Sequence, residues 1–295
     1  MKRILYFMIA AISLQSCKKN EDGEDKKWHS PLKIASYNIQ YDNTVQAPAS
    51  EWVNRKDLFK QMVEKYDFDI IGAQEPYLSQ LNDIKSMLPG YDYIGISING
   101  ETTALKRHYT PIIYKKDKIE ILDWGTFWFS SSSSEPGSIG WDAYSPRICT
   151  RALIKDKTTG KIFNFFNVPL DHIGTTARDM SVQMLLSLVP VASAKYHSII
   201  TGDFNLNQNS VNYNRIVSSG VLRDSYKMAQ EKVNAEYGTY NDYVLNQNLG
   251  TRIDHIFLST GLPLRVKKHH IITDDFNGKY PSDHYPVMIE LQLPK

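Results

Sequence analysis

The sequence predicts an α+β fold in which two β-sheets pack face to face and helices cover the outside. Most segments after Leu32 alternate apolar and polar residues or carry β-branched runs, as strands do. Two longer segments instead have apolar residues at helical spacing. No repeat and no convincing linker interrupts the chain from Leu32 onward, so we expect these elements to form one domain.

The predicted strands follow one another from Leu32 to the end of the chain. Some alternate strictly, which is typical of a sheet with one polar face, and others carry apolar runs that indicate burial on both faces. In chain order the segments are LKIASYNI, DIIGAQE, YDYIGIS, PIIYKKDKIEIL, RICTRALI, KIFNFFNVPL, HSIITGDFN, RIDHIFLS and HYPVMIELQL. Each is predicted to form a single strand.

Two segments are predicted as helices that pack on the sheets. In EWVNRKDLFKQMVEKY, one face carries Phe59, Met62, Val63 and Tyr66. The second helix is TARDMSVQMLLSLVPVASAKY, in which we expect a kink at Pro190. A third, weaker candidate is VNYNRIVSSG, which follows polar capping residues and ends at a glycine.

The N-terminal residues MKRILYFMIAAISLQSC resemble a bacterial lipoprotein signal peptide. The apolar stretch is too short to span a bilayer of about 30 Å, and LQSC places a cysteine where such signals are cleaved and lipidated. We therefore expect residues 1–17 to be the signal, with Cys17 lipidated, residues 18–30 to be a flexible tether, and residues 31–295 to be the folded domain. This organisation predicts a protein of the bacterial cell envelope, attached to the outer membrane. The alternatives are an ordinary secretory signal with a chance cysteine, or a buried N-terminal strand.

Charge and cysteine content exclude several kinds of site. The formal net charge is +2, so no basic field is available for non-specific binding of duplex DNA. The other cysteine, Cys149, lies in an apolar strand, so we expect neither a disulfide framework nor a cysteine-rich zinc or iron–sulfur site. We expect a monomer without a dedicated nucleic-acid partner.

Polar residues interrupt several predicted strands at their ends. Asn38 ends the first strand, Glu75 the second, Asp203 follows a β-branched run, and Asp283 with His284 directly precedes the last strand. One charge at a strand end usually just reaches water, but repeated Asn, Asp, Glu and His at such positions fit poorly with chance. Mg²⁺ takes carboxylate oxygens together with substrate phosphate oxygens, and a nearby histidine can handle the proton of an attacking water. The sequence has no Walker loop, Gly-x-Ser-x-Gly elbow or dinucleotide fingerprint.

These motifs resemble, in the same order, those of the endonuclease/exonuclease/phosphatase superfamily of metal-dependent phosphoesterases. The resemblance covers about residues 32–293. SYNI is similar to the motif that carries a metal-site asparagine, here Asn38, and GAQEP to the motif of the metal-binding glutamate, here Glu75. GDFN is the most specific match, and it implies that Asp203 and Asn205 orient the attacking water and contact the phosphate.

The remaining motifs imply the other half of the site. PRICT is similar to the strand whose arginine, Arg147, faces phosphate, and RIDHIF to the motif whose aspartate, Asp254, pairs with the catalytic histidine. SDH supplies Asp283 near the metal and His284 as that histidine, whereas His255 is expected to be a packing residue. The resemblance also implies a four-layer α/β sandwich like that of pancreatic deoxyribonuclease, and Mg²⁺ or Mn²⁺ as cofactor.

The segment NVPLDH departs from the family pattern. Related secreted bacterial proteins read Thr-His where this chain has Val-Pro, so that Pro169 replaces a catalytic or phosphate-contacting histidine. His108 stands where those proteins have the glutamate that supports this histidine. Asn167, His172 and His108 are the candidates for the vacated role, and Asp171 is a further predicted substrate-binding residue. Two interpretations stay open: a harmless variation, or a site that has lost activity.

Two function hypotheses follow from these observations. The first is a Mg²⁺- or Mn²⁺-dependent phosphoesterase on a bacterial envelope, in which a metal polarises the phosphate and an oriented water attacks it. Its substrate could be a nucleic acid, a phospholipid head group, or a sugar or inositol phosphate. The second is a lipoprotein of the same fold that binds a ligand without hydrolysing it.

Overall fold

A computed structural model describes residues 27–45, 48–261 and 263–295. The strands within these residues are β1 (Leu32–Asn38), β2 (Ile70–Gln74), β3 (Tyr91–Ile94), β4 (Ile112–Lys115), β5 (Ile119–Trp128), β6 (Ile148–Asp156), β7 (Ile162–Pro169), β8 (His197–Asp203), β9 (Leu222–Asp224), β10 (Glu231–Val233), β11 (Asp254–Ser259), β12 (Arg265–Ile271) and β13 (Val287–Gln292). The helices are α1 (Trp52–Tyr66), α2 (Leu78–Met87), α3 (Thr175–Ser193), α4 (Val211–Ser218) and α5 (Ser225–Met228), and a 3₁₀ turn spans Pro48–Ser50.

The strands form two mixed sheets. One has seven strands in the order β10-β12-β13-β1-β2-β4-β3, and the other has six in the order β5-β6-β7-β8-β11-β9. Each sheet contains a central parallel pair, β1 with β2 and β7 with β8, flanked by antiparallel neighbours. The carboxyl ends of the parallel strands therefore meet at one edge of each sheet, where the polar strand ends of the sequence lie.

The two sheets pack face to face with helices on both outer faces, which confirms the predicted α+β four-layer sandwich. The core between the sheets is built from the inward residues of both, including Ile34 and Ile289 from one sheet and Phe165 and Ile256 from the other. The helices α1 and α2 cover the outer face of the seven-stranded sheet. The helices α3 and α4 cover the outer face of the six-stranded sheet.

The structure corrects several predicted elements. The segment PIIYKKDKIEIL is not one strand: its first part is β4 in the seven-stranded sheet, and its second part is β5 in the other sheet. The helices α2 and α5 and the strands β9, β10 and β12 were not predicted. The helix α3 continues through Pro190 to Ser193, and the weak third candidate is α4, capped by Ser210, whose Oγ accepts a hydrogen bond from the amide of Tyr213.

The predicted signal residues and Cys17 lie outside the described residues. The last residues of the predicted tether are joined to the domain, because Trp28 pairs with Pro294 and the amide of His29 donates to the carbonyl of Leu293 at 3.0 Å. Cys149 is buried in β6, as expected of a packed core thiol. None of the helices in the described ranges is long and apolar enough to cross a membrane.

Candidate active site

The polar strand ends converge on one cavity of about 380 Å³ at the edge where the two sheets meet. Backbone pairing sets their positions: Asn38 ends β1 beside β2, whose last residue precedes Glu75, and Asp254 at the start of β11 lies opposite Asp203 at the end of β8. The cavity wall contains seven of the predicted site residues, namely Glu75, Arg147, His172, Asp203, Asn205, Asp283 and His284. Asn38 and Asp254 lie buried directly beneath them.

A larger cavity, of about 550 Å³, lies elsewhere on the molecule. It is on the outer face of the six-stranded sheet next to α3, and side chains such as Phe127, Phe166 and Leu188 line it. None of the predicted site residues contributes to its wall. We therefore assign the chemistry to the smaller cavity, because only its wall brings carboxylates, imidazoles and a guanidinium together.

The backbone is unusual at three positions in this cavity. Glu75, Asn205 and Gln40 have φ angles of 74°, 48° and 49°, in the left-handed region. Asparagine tolerates this region, but for glutamate and glutamine it is uncommon and costs free energy. The amide of Glu75 donates to the carbonyl of Tyr109 at 3.1 Å, which helps to hold this conformation. The strained residues turn their side chains out of the strand ends at the point where the site is built.

Asn38 joins two carboxylates on the acidic side of the cavity. Its Nδ2 donates to Glu75 Oε1 at 2.9 Å and to Asp203 Oδ2 at 3.1 Å. Its Oδ1 instead accepts from the amide of Gln40 at 3.0 Å. As placed here, Asn38 is a bridging donor, and it could act as the predicted oxygen ligand of a metal only after its amide group rotated.

Asp203 is fixed between the two sheets. In addition to the bond from Asn38, its Oδ1 accepts from the amide of Asn205 at 3.0 Å, and Asn205 Nδ2 donates to the carbonyl of Leu170. Burial, with the neighbouring Asp254 carboxylate, raises the pKa of Asp203 to about 7 even though the charge of His284 opposes the rise. Asp203 is therefore a carboxylate that can accept a proton near neutral pH.

Asp283 is held by side chains that come from distant parts of the sequence. Gln40 Nε2 donates to its Oδ2 at 2.7 Å, and the hydroxyl of Tyr243 donates in turn to Gln40 Oε1 at 2.6 Å. The hydroxyl of Ser282 donates to Oδ1 at 3.2 Å. Burial raises the pKa of Asp283 to about 6, against the opposing charge of His284.

Asp254 and His284 form a buried dyad. Nδ1 of His284 lies 2.9 Å from Asp254 Oδ2, so Nε2 is the ring nitrogen left for the cavity. Burial disfavours the imidazolium, but the charge of Asp254 and its hydrogen bond outweigh burial and raise the pKa of His284 well above its ordinary value. The carboxylate thus fixes both the tautomer and the direction of the imidazole.

Arg55 of α1 is buried beneath the acidic side of the cavity and donates hydrogen bonds to backbone carbonyls. Its guanidinium donates to carbonyl groups of the turn after β1 and of the segment before β13, which are those of Ser50, Ile39, Gln40, Tyr41 and Pro281. These two segments carry Gln40 and Asp283. Arg55 therefore fixes the two parts of the chain whose side chains meet at Asp283.

Across the cavity, Arg147 is positioned by its neighbours. Its Nε donates to Asp171 Oδ2 at 3.0 Å, and its Nη2 lies 2.8 Å from His172 Nδ1. Asp171 is buried and does not line the cavity, so its contribution is to position Arg147 rather than to contact a ligand. Burial opposes its ionisation, but the amides of Gly174 and Ile173 and the Arg147 guanidinium outweigh burial and hold the pKa of Asp171 below its usual value.

Asn167 is not where the prediction placed it. It is completely buried between the sheets, and its Nδ2 donates to the carbonyls of Ala73 at 2.6 Å and Pro111 at 2.8 Å. Its Oδ1 accepts from Gln74 Nε2 at 2.7 Å and from Thr201 Oγ1 at 3.1 Å. With both amide atoms bonded inside the protein, Asn167 ties the sheets together and has no free group for a substrate.

The other two candidates for the role vacated at Pro169 do line the cavity. His172 lies beside Arg147, and His108 packs against the rings of Tyr41 and Tyr77 at 4.7 and 5.5 Å. Burial lowers the pKa of His108, against the opposing charge of Glu75. His255, expected to be a packing residue, is buried among Phe204, Tyr213 and Phe257.

Sequence reasoning missed several residues of the wall, namely Gln40, Tyr41, Tyr144, Ser145 and Tyr240. All of them lie outside strands, in turns whose position depends on distant contacts. The clearest signal for one of them is the position of Gln40, two residues beyond Asn38 in the turn that ends the first strand. The tyrosines carry no local signal that separates them from packing residues.

The acidic side of the cavity fits a divalent cation by the chemistry of its donors. Carboxylates such as those of Glu75, Asp203 and Asp283 are the oxygen ligands that Mg²⁺ and Mn²⁺ prefer. One potential ligand atom from each of Asp203, Asp254 and His284 lies within 4.8 Å of the other two. Oδ1 of Asp254 is also buried without a hydrogen-bond partner among the described residues. The group of Asp203, Asp254 and His284 lies next to the predicted metal ligands, because Asn38 donates both to Asp203 and to Glu75.

Comparison with known proteins agrees with the geometry. A model of the Endonuclease/Exonuclease/phosphatase family matches residues 35–284. The chain is 39% identical to a protein of that family from Bacteroides thetaiotaomicron (TM-score 0.82, covering 90% of this chain and 95% of the other). It is 40% identical to a mannosyl-6-phosphatase from the same species (TM-score 0.80, covering 88% and 99%). An uncharacterised protein of Acanthamoeba polyphaga mimivirus is 29% identical over 81% of this chain and 91% of its own length.

Proposed function

This chain belongs to the endonuclease/exonuclease/phosphatase family, and from that premise we propose that it is a divalent-cation-dependent phosphoesterase. The observation that carries the proposal is the buried Asp254–His284 dyad, at 2.9 Å, in a cavity that also holds three carboxylates and an arginine. A site that had lost its chemistry would have no need of a buried imidazole oriented by a buried carboxylate. The departure at Pro169 leaves these groups intact.

Glu75 and Asp283 would hold the cation, and Asn38 joins Glu75 to Asp203. When bound, the cation supplies Lewis-acid stabilisation of the negative charge on the phosphoryl oxygens. Asp203, fixed by Asn38 and Asn205, orients the attacking water and accepts its proton as the new oxygen–phosphorus bond forms.

His284 acts on the leaving group, and Arg147 acts on the phosphate. His284, oriented by Asp254, donates its Nε2 proton to the leaving oxygen as the phosphorus–oxygen bond breaks. Arg147, held by Asp171, supplies a fixed positive charge to the phosphate oxygens. The reaction consumes one water and releases phosphate and an alcohol from a monoester, or a phosphate monoester and an alcohol from a diester.

For the substrate class we propose a sugar phosphate. A relative of 40% identity is a mannosyl-6-phosphatase, and the cavity of about 380 Å³ is of a size suited to a small molecule. The net charge of +2 offers no basic field of the kind that holds long nucleic acids. Nucleotides and lipid phosphates are the competing substrates that an assay must include.

The function is tested by phosphate release from mannose 6-phosphate, p-nitrophenyl phosphate and bis-p-nitrophenyl phosphate, with Mg²⁺ or Mn²⁺ and with EDTA. We expect cation-dependent hydrolysis, and a fall in kcat of ~10²–10⁴ for His284→Ala. Hydrolysis that EDTA does not affect would contradict the proposed cation dependence. Binding of these esters by the folded protein without any hydrolysis would instead favour the non-catalytic lipoprotein.

We also propose that Cys17 anchors the protein to the bacterial outer membrane. The support is the LQSC motif after a short apolar stretch, in a part of the chain outside the described residues. Metabolic labelling with a radioactive fatty acid, followed by fractionation, tests it. Cys17→Ala should abolish the label and remove the mature protein from the membrane fraction; unchanged labelling would contradict the anchor.

A further inference from the structure

Three tyrosine–histidine pairs line the cavity. Tyr41 packs against His108 at 4.7 Å between ring centroids, and Tyr240 contacts His284 edge to face at 5.2 Å. The third pair, Tyr144 with His172, is edge to face at 5.4 Å. All six residues belong to the wall of the same cavity, so each histidine that faces the site has an aromatic ring at its side.

The outermost of these pairs stands on a rigid support. Asp171 accepts hydrogen bonds from the amide of Tyr144 at 3.0 Å and from Arg147 Nε at 3.0 Å, and so joins residues 140–147 to residues 170–174. Asp142, in the first of these loops, accepts from the amide of Ala177 at 2.6 Å at the start of α3. The backbone under the tyrosine is thus fixed at both ends. Tyr144 itself is nevertheless 70% exposed.

The charges of the wall are divided between two regions. The carboxylates lie together on the side of Asp203 and Asp283, where the Tyr240–His284 pair also stands, whereas Arg147 lies beside the Tyr144–His172 pair. That second region otherwise consists of the Tyr144 and His172 rings and of Ser145. Such a surface suits an uncharged ring that is apolar on its face and bears hydroxyl groups at its edge, because the rings pack on C–H groups while imidazole and phenol groups meet the hydroxyls.

We infer that the Tyr144–His172 pair, which lies beside Arg147, forms a subsite for the sugar ring of a sugar phosphate, and that Tyr144 is its specificity-determining residue. The inference rests on the proposed phosphoesterase function and names the group that accompanies the phosphate. Tyr144 presents an aromatic face at the cavity mouth from a fixed backbone, while Arg147 behind it holds the phosphate end. The preorganised loop lowers the cost of ordering that face when a ligand binds.

The test compares kcat/KM for mannose 6-phosphate and for ethyl phosphate, which has no ring, in the full-length protein with Mg²⁺. We expect Tyr144→Ala to lower the value for mannose 6-phosphate on the order of tenfold more than that for ethyl phosphate, chiefly through KM. Tyr144→Phe keeps the ring and should retain most of the preference. Tyr196→Ala, at a partly exposed tyrosine after α3, is the matched control that should change neither value.

Other outcomes separate the inference from the function on which it rests. An equal loss for both substrates would overturn the subsite while leaving the phosphoesterase intact, as would wild-type protein that prefers ethyl phosphate or a nucleotide to every hexose phosphate. If no ester is hydrolysed, calorimetry decides: the subsite requires mannose 6-phosphate to bind more tightly than inorganic phosphate, and Tyr144→Ala to remove the difference. Equal binding of the two would overturn it.

Discussion

Asp254 and His284 come from different sheets and meet only in the folded chain. Asp254 begins β11 of the six-stranded sheet, and His284 precedes β13 of the seven-stranded sheet. Their pairing is buried, so removing the charge of one partner leaves the other without compensation. This makes the dyad a sensitive place to separate a catalytic role from a packing role.

Asp254→Asn should lower kcat for mannose 6-phosphate by ~10²–10⁴, because the amide keeps the shape but not the charge that stabilises the imidazolium of His284. Steady-state kinetics with excess Mg²⁺ measure the change, and circular dichroism checks that the variant is folded. Asp117→Asn, on an exposed turn, is the control and should be neutral. A variant with wild-type kcat would show that the dyad is structural.

The departure at Pro169 can be tested by restoring what the family has. Pro169 lies beside Asp203 in the parallel pairing of β7 and β8, two residues beyond Asn167 and so on the same face of the strand. Pro169→His alone should gain little, since an imidazole without a supporting carboxylate is poorly oriented. We expect Pro169→His with His108→Glu to raise kcat more than the two single changes together. A double variant no faster than wild type would mean that Pro169 is a neutral variation.

At this scale, the sequence predicted residues whose chemistry is visible locally. Glu75, Asp203 and His284 could be found because polar residues recur at the ends of several predicted strands, which fits poorly with chance. Asn167 was assigned to the substrate because a strand pattern shows which face a residue is on, but not that the opposite sheet covers it. Tyr144 was missed because its exposure depends on two loops that meet only in the fold.

At the scale of elements, Asp171 joins the loop before β6 to the loop before α3. Its carboxylate accepts bonds from Tyr144, Arg147, Ile173 and Gly174, and it is completely buried. Four donors around one carboxylate favour the ionised form, in agreement with the lowered pKa. The position of both loops, and of the side chains that they carry, therefore depends on this charge.

Asp171→Asn should lower the free energy of unfolding at pH 7 by about 1.5–3 kcal/mol, the usual loss for hydrogen bonds to a charged group. Because the folded pKa is depressed, the contribution is complete above the unfolded value of about 4 and is lost as pH falls through the folded pKa. Urea unfolding at several pH values measures the difference in unfolding free energy between wild type and variant. This difference should be constant near neutrality and should narrow below about pH 4. If the difference in unfolding free energy stays constant in acid, the charge of Asp171 is not its source.

Elements were predicted well where the periodicity was long, and poorly where it was short. The helix α1 has a continuous apolar face over fifteen residues and was found. The helix α2 has only ten, with its buried face reduced mainly to Leu78, Leu81 and Ile84, and was missed. The segment that contains β4 and β5 has a charged run, KKDK, at residues 115–118 where the chain turns, but nothing local shows that the chain then enters the other sheet.

At the scale of the whole molecule, the site lies on the joint between the two sheets. Asn38 and Glu75 extend from the seven-stranded sheet, and Asp203 and Asp254 belong to the six-stranded sheet. The apolar strands made the sandwich predictable, but the order of strands was not, because long-range pairing has no local signature. Placing carboxylates from both sheets at one buried edge is unfavourable for folding, because each disfavours ionisation of the others.

A divalent cation bound at this joint should therefore stabilise the whole domain. At a Mg²⁺ concentration of 100 times its Kd, the added stability is about 2.7 kcal/mol, which raises Tm by about 5–10 °C in a domain of this size. Thermal unfolding in Mg²⁺ and in EDTA measures the difference without any assay of activity. Glu75→Gln should abolish the shift, whereas Glu135→Gln in an exposed loop should preserve it.

In EDTA, Glu75→Gln should be at least as stable as wild type, because one of the mutually repelling carboxylates is gone. A loss of stability in EDTA would show instead that Glu75 stabilises the end of the β1–β2 pair through the bond that it accepts from Asn38.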